Sequence, residues 1–328
     1  MSQPTSLTRR ALLSSLASAG AIGLIRPWTA GGEARAASTR PIPSTGERLP
    51  LVGLGTWITF NVGDDVAALV ALGSWVTFNV GDDDAARNSC AEVMRAFFQD
   101  GGRLIDSSPM YGSSQEVVGY GLAKLGRPTT VFSADKVWIS SGERGPAQIE
   151  ESRRQWGVSR FDVLQVHNLV SWEEHLATLV AMKAKGRLRY VGITTSEGRR
   201  HAEIERVMAS QPIDFVQVTY NVLDREVEER ILPLARERKI AVIANRPFRQ
   251  GSLIRSVERS PLPPWAREID CANWAQLLLK FIVSHPAVTC AIPATSRVDH
   301  VRENMGAAFG RLPDEAMRRR IVAHVEAL

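Results

Sequence analysis

The sequence predicts a (β/α)8 TIM barrel, an α/β fold of parallel strands ringed by helices, with an N-terminal β-hairpin ahead of it. From residue 40 onward, short β-rich runs alternate with longer amphipathic stretches, the order that buries a parallel sheet beneath helices. The β-rich runs number eight, the count at which a parallel sheet closes on itself. A Pro-Ser-Thr-Gly-Glu turn within Arg40–Pro50 predicts a small hairpin that plugs the barrel floor.

Taken in order, Leu51–Leu54 is read as the first strand. Arg103–Asp106, Val131–Lys136, Val163–His167, Tyr190–Thr194, Phe215–Tyr220, Ile240–Asn245 and Val288–Ala294 follow, each a short apolar run. Between them Ala91–Gln99, Glu173–Ala184, Glu226–Lys239 and Ala272–Ser284 space their apolar residues as helices do, and Asp314–Ala327 predicts a final helix. Gly119 and Gly121 fall in a helical stretch. They are read as close helix packing, not as a phosphate-binding finger.

One segment breaks the regularity. Residues 51–68 recur at 69–86 with 14 of 18 positions identical. A repeat architecture needs about three units, so this is read as a local duplication in which one copy supplies the strand and the other is an insertion. The first copy follows the hairpin directly and keeps Gly53, Gly55 and Thr56, which places it in the barrel. The second is then a loop at the C-terminal rim, leading into the helix around Ala91. The opposite assignment, with the surplus on the barrel floor, stays open.

Residues 1–36 are read as an export signal. Thr8-Arg9-Arg10-Ala11-Leu12-Leu13 opens an uncharged, weakly apolar run to Ile25, and Ala34-x-Ala36 offers a small-residue cleavage site. Paired arginines before a Ser/Ala/Gly-diluted run look like the twin-arginine type. A basic amphipathic helix that stays attached is the other reading. The expectation is therefore a partner in the twin-arginine export machinery, a periplasmic or secreted location, and a barrel over residues 37–328. The apolar run is too short for a permanent bilayer span.

Composition narrows the function classes. Hydrophobic residues at 44% and charged residues at 23% are ordinary globular values and argue against disorder. Of the net charge of +5, Arg9, Arg10, Arg26 and Arg35 against Glu33 account for +3. The rest holds no Lys/Arg run of the kind that binds nucleic acid. Cys90, Cys271 and Cys290 are widely spaced and form no disulfide framework. No His/Cys/Asp set has ligand spacing, so no metal is expected.

Catalytic groups of such a barrel stand at the C-terminal strand tips. The ionisable residues there are Asp106, Lys136 and His167, with Tyr111 five positions past Asp106 in the loop Ser-Ser-Pro-Met-Tyr-Gly. Reduction of a carbonyl needs a hydride and a proton. A phenol with a pKa of about 10 is a weak acid at neutral pH. An ammonium beside it favours ionisation, and a carboxylate holds that ammonium in place. A histidine on the next strand can donate to the carbonyl oxygen. Each residue alone has a bland reading: a structural ion pair, an exposed loop tyrosine, a hydrogen-bonded histidine. Four on successive elements are read as one site.

These residues lie in LIDSSPMYG, ADKVW, VLQVHN and YVGITTS, which in that order resemble the successive signatures of the aldo-keto reductase superfamily. GLGTW, DFVQVTYN and IPATSRVDHVREN extend the likeness from about Arg40 to the C-terminus. The resemblance implies a monomer that transfers a hydride between NADP(H), with NAD(H) as second choice, and a small-molecule aldehyde or ketone. Tyr111 would be the proton donor, assisted by Lys136, Asp106 and His167. It further implies a first-strand cofactor contact at Gly55 and Thr56, and a carboxamide site at Thr194, Thr195 and Gln217. Thr295, Arg297, Glu303 and Asn304 match the adenosine end, where a helix begins. Trp57 and Trp138 match substrate-wall aromatics; for Trp138 plain core packing stays open.

There are departures. Asn245, followed by Arg246, stands where many members stack a tyrosine on the nicotinamide. A guanidinium can lie against a ring or bind the pyrophosphate. The usual lysine and arginine of the 2′-phosphate clamp fall on Ala294 and His300. That leaves Arg297 as the local cation and the ground for preferring NADP(H). No long C-terminal loop is expected to shape the substrate pocket. A catalytically weak nucleotide-binding regulator or sensor on the same fold is the competing reading.

Overall fold

A computed structural model of the chain describes residues 36–57 and 78–328. The export-signal reading of the N-terminus, and residues 69–77 of the second repeat copy, lie outside the described residues. The hairpin forms as β1 (Thr39–Pro41) and β2 (Arg48–Pro50), paired antiparallel. The barrel strands are β3 (Leu54–Gly55), β4 (Leu104–Asp106), β5 (Phe132–Val137), β6 (Phe161–His167), β7 (Leu188–Thr194), β8 (Phe215–Thr219), β9 (Ala241–Asn245) and β10 (Val288–Ala291). They hydrogen-bond in sequence order as one parallel sheet. Its two edges then meet through parallel bridges Val52–Ala291 and Gly55–Ala294. The Gly53 amide donates to Ala291 O at 2.8 Å and the Gly55 amide to Pro293 O at 3.0 Å. The ring is closed.

The alternation of strands assigns each residue to a side. Leu104, Phe132, Val163, Tyr190, Phe215, Ala241 and Cys290 form a cluster inside the barrel, and Ile42 and Leu49 of the hairpin belong to it. The hairpin thus plugs the floor, where Tyr190 Oη also meets Thr45 Oγ1 at 2.8 Å. The intervening residues, such as Ile105, Val137, Leu164 and Val191, face outward into a second cluster shared with the helices. Because the strand period is two, the step after the floor layer brings polar side chains to the interior near the mouth.

The covering helices include α1 (Asp84–Gln99), α2 (Ser114–Lys124) and α3 (Gly145–Trp156). A Cβ on Gly119 would lie 1.9 Å from Gln155 O, and one on Gly121 2.4 Å from Met94 Sδ. Both glycines therefore let α2 approach its neighbours, as the sequence suggests. Two expected boundaries shift, each at a proline. The stretch 226–239 splits into a 3₁₀ turn (Glu226–Glu228) and a short helix (Ile231–Glu237) whose first turn holds Pro233, where a missing N–H costs least. The last strand stops at Ala291, two residues before Pro293.

The duplicated copies divide the first βα unit between them. Leu54–Gly55 of the first copy pairs with Ile105–Asp106. Phe78–Ala86 of the second copy leads into α1, with Phe78 fully buried and Asp83 capping the helix by accepting from the Ala86 amide at 2.8 Å. The strand is tight at one position where the two copies differ. A Cβ on Gly53 would sit 3.0 Å from Leu104 O and 3.1 Å from Cys290 Sγ, and the matching residue of the second copy is Ala71.

Candidate active site

The polar layer at the mouth is built by strand periodicity. Asp106, Lys136, His167, Thr194, Gln217 and Asn245 end β4 to β9 or lie one to two residues short of their ends, and all are buried. Asp106, Tyr111, His167, Thr194, Gln217, Asn245 and Arg246 line one cavity together with Gly55 and Trp57. Lys136 lies beneath its wall, fully buried. Its Nζ donates to Asp106 Oδ2 and to Ser107 O, both at 2.7 Å, and stands 5.1 Å from the centroid of the Tyr111 ring. Tyr111 is held at the turn by its amide, which donates to Ser108 O at 2.9 Å. Its ring packs on Trp57 (centroids 4.7 Å apart) and edge-on to His167 (5.8 Å).

Burial decides the protonation states. It pushes the Tyr111 phenol well above its ordinary value, reinforced by Asp106 and Asp135 and opposed by Arg246. The sequence alone suggests that the ammonium lowers this pKa. In the folded protein Asp106 pairs with that ammonium, Asp135 is buried on the other face of the strand, and the phenol keeps its proton. Burial, and then Lys136, hold His167 well below its usual range, so the imidazole is neutral. Burial raises Asp106 and the contact with Lys136 opposes it.

Other expected residues separate into those at the cavity and those beside it. The Thr56 hydroxyl donates to Asp106 O at 2.9 Å and accepts from Ser114 Oγ at 2.7 Å. The Thr195 amide donates to Gln217 O and its carbonyl accepts from the Asn245 side chain, and Ser196 is the neighbour that lines the cavity. Asn245 is tied through both ends of its amide, accepting from Thr219 Oγ1 at 2.8 Å and donating to Thr195 O at 2.9 Å. Arg246 follows it in the left-handed region at φ 49° and ion-pairs with Glu197. Trp138 is 41% exposed with its ring 6.5 Å from that of His167, so it is a rim residue and not core.

At the adenosine end, Thr295, Glu303 and Asn304 line a second cavity with His300 and Trp274. Arg297 is outside that lining and binds Asp299, with Nε 3.0 Å from Oδ1. The two cavities share Phe248 and Ala294 as walls. An elongated ligand can therefore run from the strand tips to the start of the helix Val298–Gly306. A chain of amides and hydroxyls at one end and a helix start at the other suit a dinucleotide.

Sequence reasoning missed three buried polar residues. Asp135 faces outward between Lys136 and α2, where it accepts from Gln115 Nε2 at 2.6 Å. Ser108 touches His167, and Gln165 donates to Gln217 Oε1 at 2.8 Å. The strand period alone could have flagged Gln165, two residues before His167 on the same face.

Comparison with known proteins identifies the family and the fold. Residues 69–325 match the aldo/keto reductase family. The methylglyoxal reductase YeaE of Escherichia coli is 26% identical over 261 residues, covering 78% of this chain and 84% of that protein. An NADH-specific methylglyoxal reductase of the same organism is 28% identical over 258 residues, covering 69% and 72%. Among solved structures, the holo form of an aldo-keto reductase from Bacillus halodurans superposes with a TM-score of 0.68 at 20% identity, covering 88% of this chain and 96% of that one. An aldo/keto reductase from Klebsiella pneumoniae in complex with NADP and acetate gives 0.63 at 24% identity, covering 84% and 93%. With a family match over most of its length and a barrel whose mouth brings Asp106, Tyr111 and His167 to one cavity, with Lys136 paired to Asp106 beneath it, the chain belongs to the aldo/keto reductase family.

Proposed function

We propose that the chain transfers a hydride between NADP(H) and an aldehyde or ketone, with Tyr111 as the proton donor. The observation that carries this reading is the meeting of the Tyr111 phenol, the Asp106–Lys136 ion pair and the neutral His167 ring at one cavity. A bound nicotinamide supplies the hydride; the chain's own side chains handle the proton and the oxygen. The phenol arrives protonated because burial keeps it so. Lys136 stabilises the phenolate left behind when that proton moves to the substrate oxygen, and Asp106 fixes Lys136. The Trp57 ring beside Tyr111 helps exclude water from the transfer. Thr194, Gln217 and Asn245 are the groups that would hold the carboxamide end. Thr295, Glu303 and Asn304 would hold the adenosine end, with Arg297 available to a 2′-phosphate if it leaves Asp299. The NADH-specific relative keeps NAD(H) as the second choice.

The test is NADPH oxidation with a panel of aromatic and α-oxo aldehydes. Tyr111→Phe is expected to lower kcat by about 10²–10⁴-fold, the range for loss of a positioned acid. Lys136→Met is expected to abolish turnover while the NADPH dissociation constant stays within several-fold. Equal, near-background rates for wild type and Tyr111→Phe on every carbonyl would favour a sensor. The engagement of Asn245 with Thr195 and Thr219, at the position where many members carry a tyrosine, is the one observation on that side.

A further inference from the structure

His167 closes β6 with a neutral ring, so one of its nitrogens donates and the other accepts. One of them meets a buried serine. Nδ1 lies 2.8 Å from Ser108 Oγ. Ser108 is fully buried, and its Oγ also accepts from the Met110 amide at 3.2 Å. A serine hydroxyl has one proton to give. Among the described residues, Nδ1 is the acceptor the hydrogen bonds provide for it. Were Nδ1 itself protonated, the serine proton would be buried without a partner, an arrangement folded proteins avoid.

We infer that Ser108 is a positioning residue that fixes His167 in the tautomer with its proton on Nε2, so that the ring offers the cavity an N–H donor. The consequence rests on the carbonyl-reduction reading: an N–H donor can hold a carbonyl oxygen beside the Tyr111 hydroxyl, whereas a lone pair aimed there would repel it. Ser108 is suited to the task because it belongs to the same turn as Tyr111, whose amide it accepts through its backbone. One short segment therefore carries the proton donor and sets the direction of the second donor. No strand-tip pattern reports this, because the link is a side chain in a loop.

The experiment is a long-range ¹H–¹⁵N correlation spectrum of histidine-labelled protein, with the His167 signals assigned by their loss in His167→Asn. The wild type is expected to show a protonated Nε2 and an unprotonated Nδ1, unchanged from pH 6 to pH 9. Ser108→Ala is expected to give a mixed or reversed pattern and a kcat at least tenfold lower, with the NADPH dissociation constant little changed. Ser108→Thr, which keeps the hydroxyl, is expected to restore both. A protonated Nδ1 in the wild type, or an unaltered tautomer in Ser108→Ala, overturns the inference. If Ser108→Ala does not fold, the wild-type and Ser108→Thr spectra decide alone. A protein that shows the Nε2 tautomer but reduces no carbonyl would uphold the role of Ser108 and sink the reductase reading, so the two failures are distinguishable.

Discussion

At the scale of single residues, the site is governed by burial more than by pairwise charge. Asp135 shows this most plainly. It is fully buried, and although Lys136 and Gln115 both oppose the shift, burial pushes it up to about 7. Its folded value lies above the unfolded value of about 4, so the folded state holds this proton the more tightly. Stability is then expected to fall as pH rises between those two values and to level off above them. Asp135→Asn removes the charged form. Its melting temperature is expected to equal or exceed that of the wild type at pH 8, and the gap should close toward pH 4. A variant that is instead destabilised most at pH 8 would show that the carboxylate is a favourable partner of Lys136. None of this is visible in the sequence. The motif around Lys136 points to the lysine, but only the pleat of β5 and the packing of α2 place Asp135 behind it. The strand tips themselves were legible, since period two and strand direction put Asp106, Lys136 and His167 at the mouth. Ser108 was not, because a loop rotamer has no periodicity.

At the scale of elements, the duplicated segment is the unusual feature. A strand from the first copy joins a helix entry from the second, so an 18-residue surplus is sufficient to account for the extra sequence. Deleting residues 58–75 joins Trp57 to Val76 and restores the local order that each copy has by itself. The shortened protein is expected to fold, to melt no lower than the full chain and to bind NADPH with similar affinity. Loss of binding would mean that the surplus is part of the site. Conversely, Gly53→Ala introduces the methyl that Leu104 O and Cys290 Sγ oppose, and gives the first copy the residue the second already has. A loss of about 1–3 kcal/mol, typical of overpacking a tight site, should appear in chemical denaturation. Gly53 and the adjoining hairpin favoured the first copy in the sequence but left the choice open; the pairing of Leu54–Gly55 with Ile105–Asp106 decides it.

At the scale of the whole molecule, a closed ring with a plugged floor leaves the C-terminal mouth as the open end. There two adjoining cavities share Phe248 and Ala294 as walls. The fold was legible because eight apolar runs repeat at helix-containing intervals; the boundaries moved where Pro233 and Pro293 intervene. Among the described residues no helix is long and apolar enough to cross a membrane. We propose that residues 1–36 direct the folded barrel through the twin-arginine route. Arg9→Lys with Arg10→Lys is expected to leave the protein in the cytoplasmic fraction with the unprocessed mass; continued export would refute it. Carbonyl reduction here requires the Tyr111 hydroxyl to face a substrate position beside the reacting carbon of a nicotinamide held at this mouth. A crystal structure with NADP⁺ tests it most directly. The prediction is a nicotinamide ring against Thr194 and Gln217, with its reactive carbon and the Tyr111 oxygen both within about 4 Å of one substrate position. A ring bound elsewhere, or a phenol turned away from it toward the helices, would contradict it.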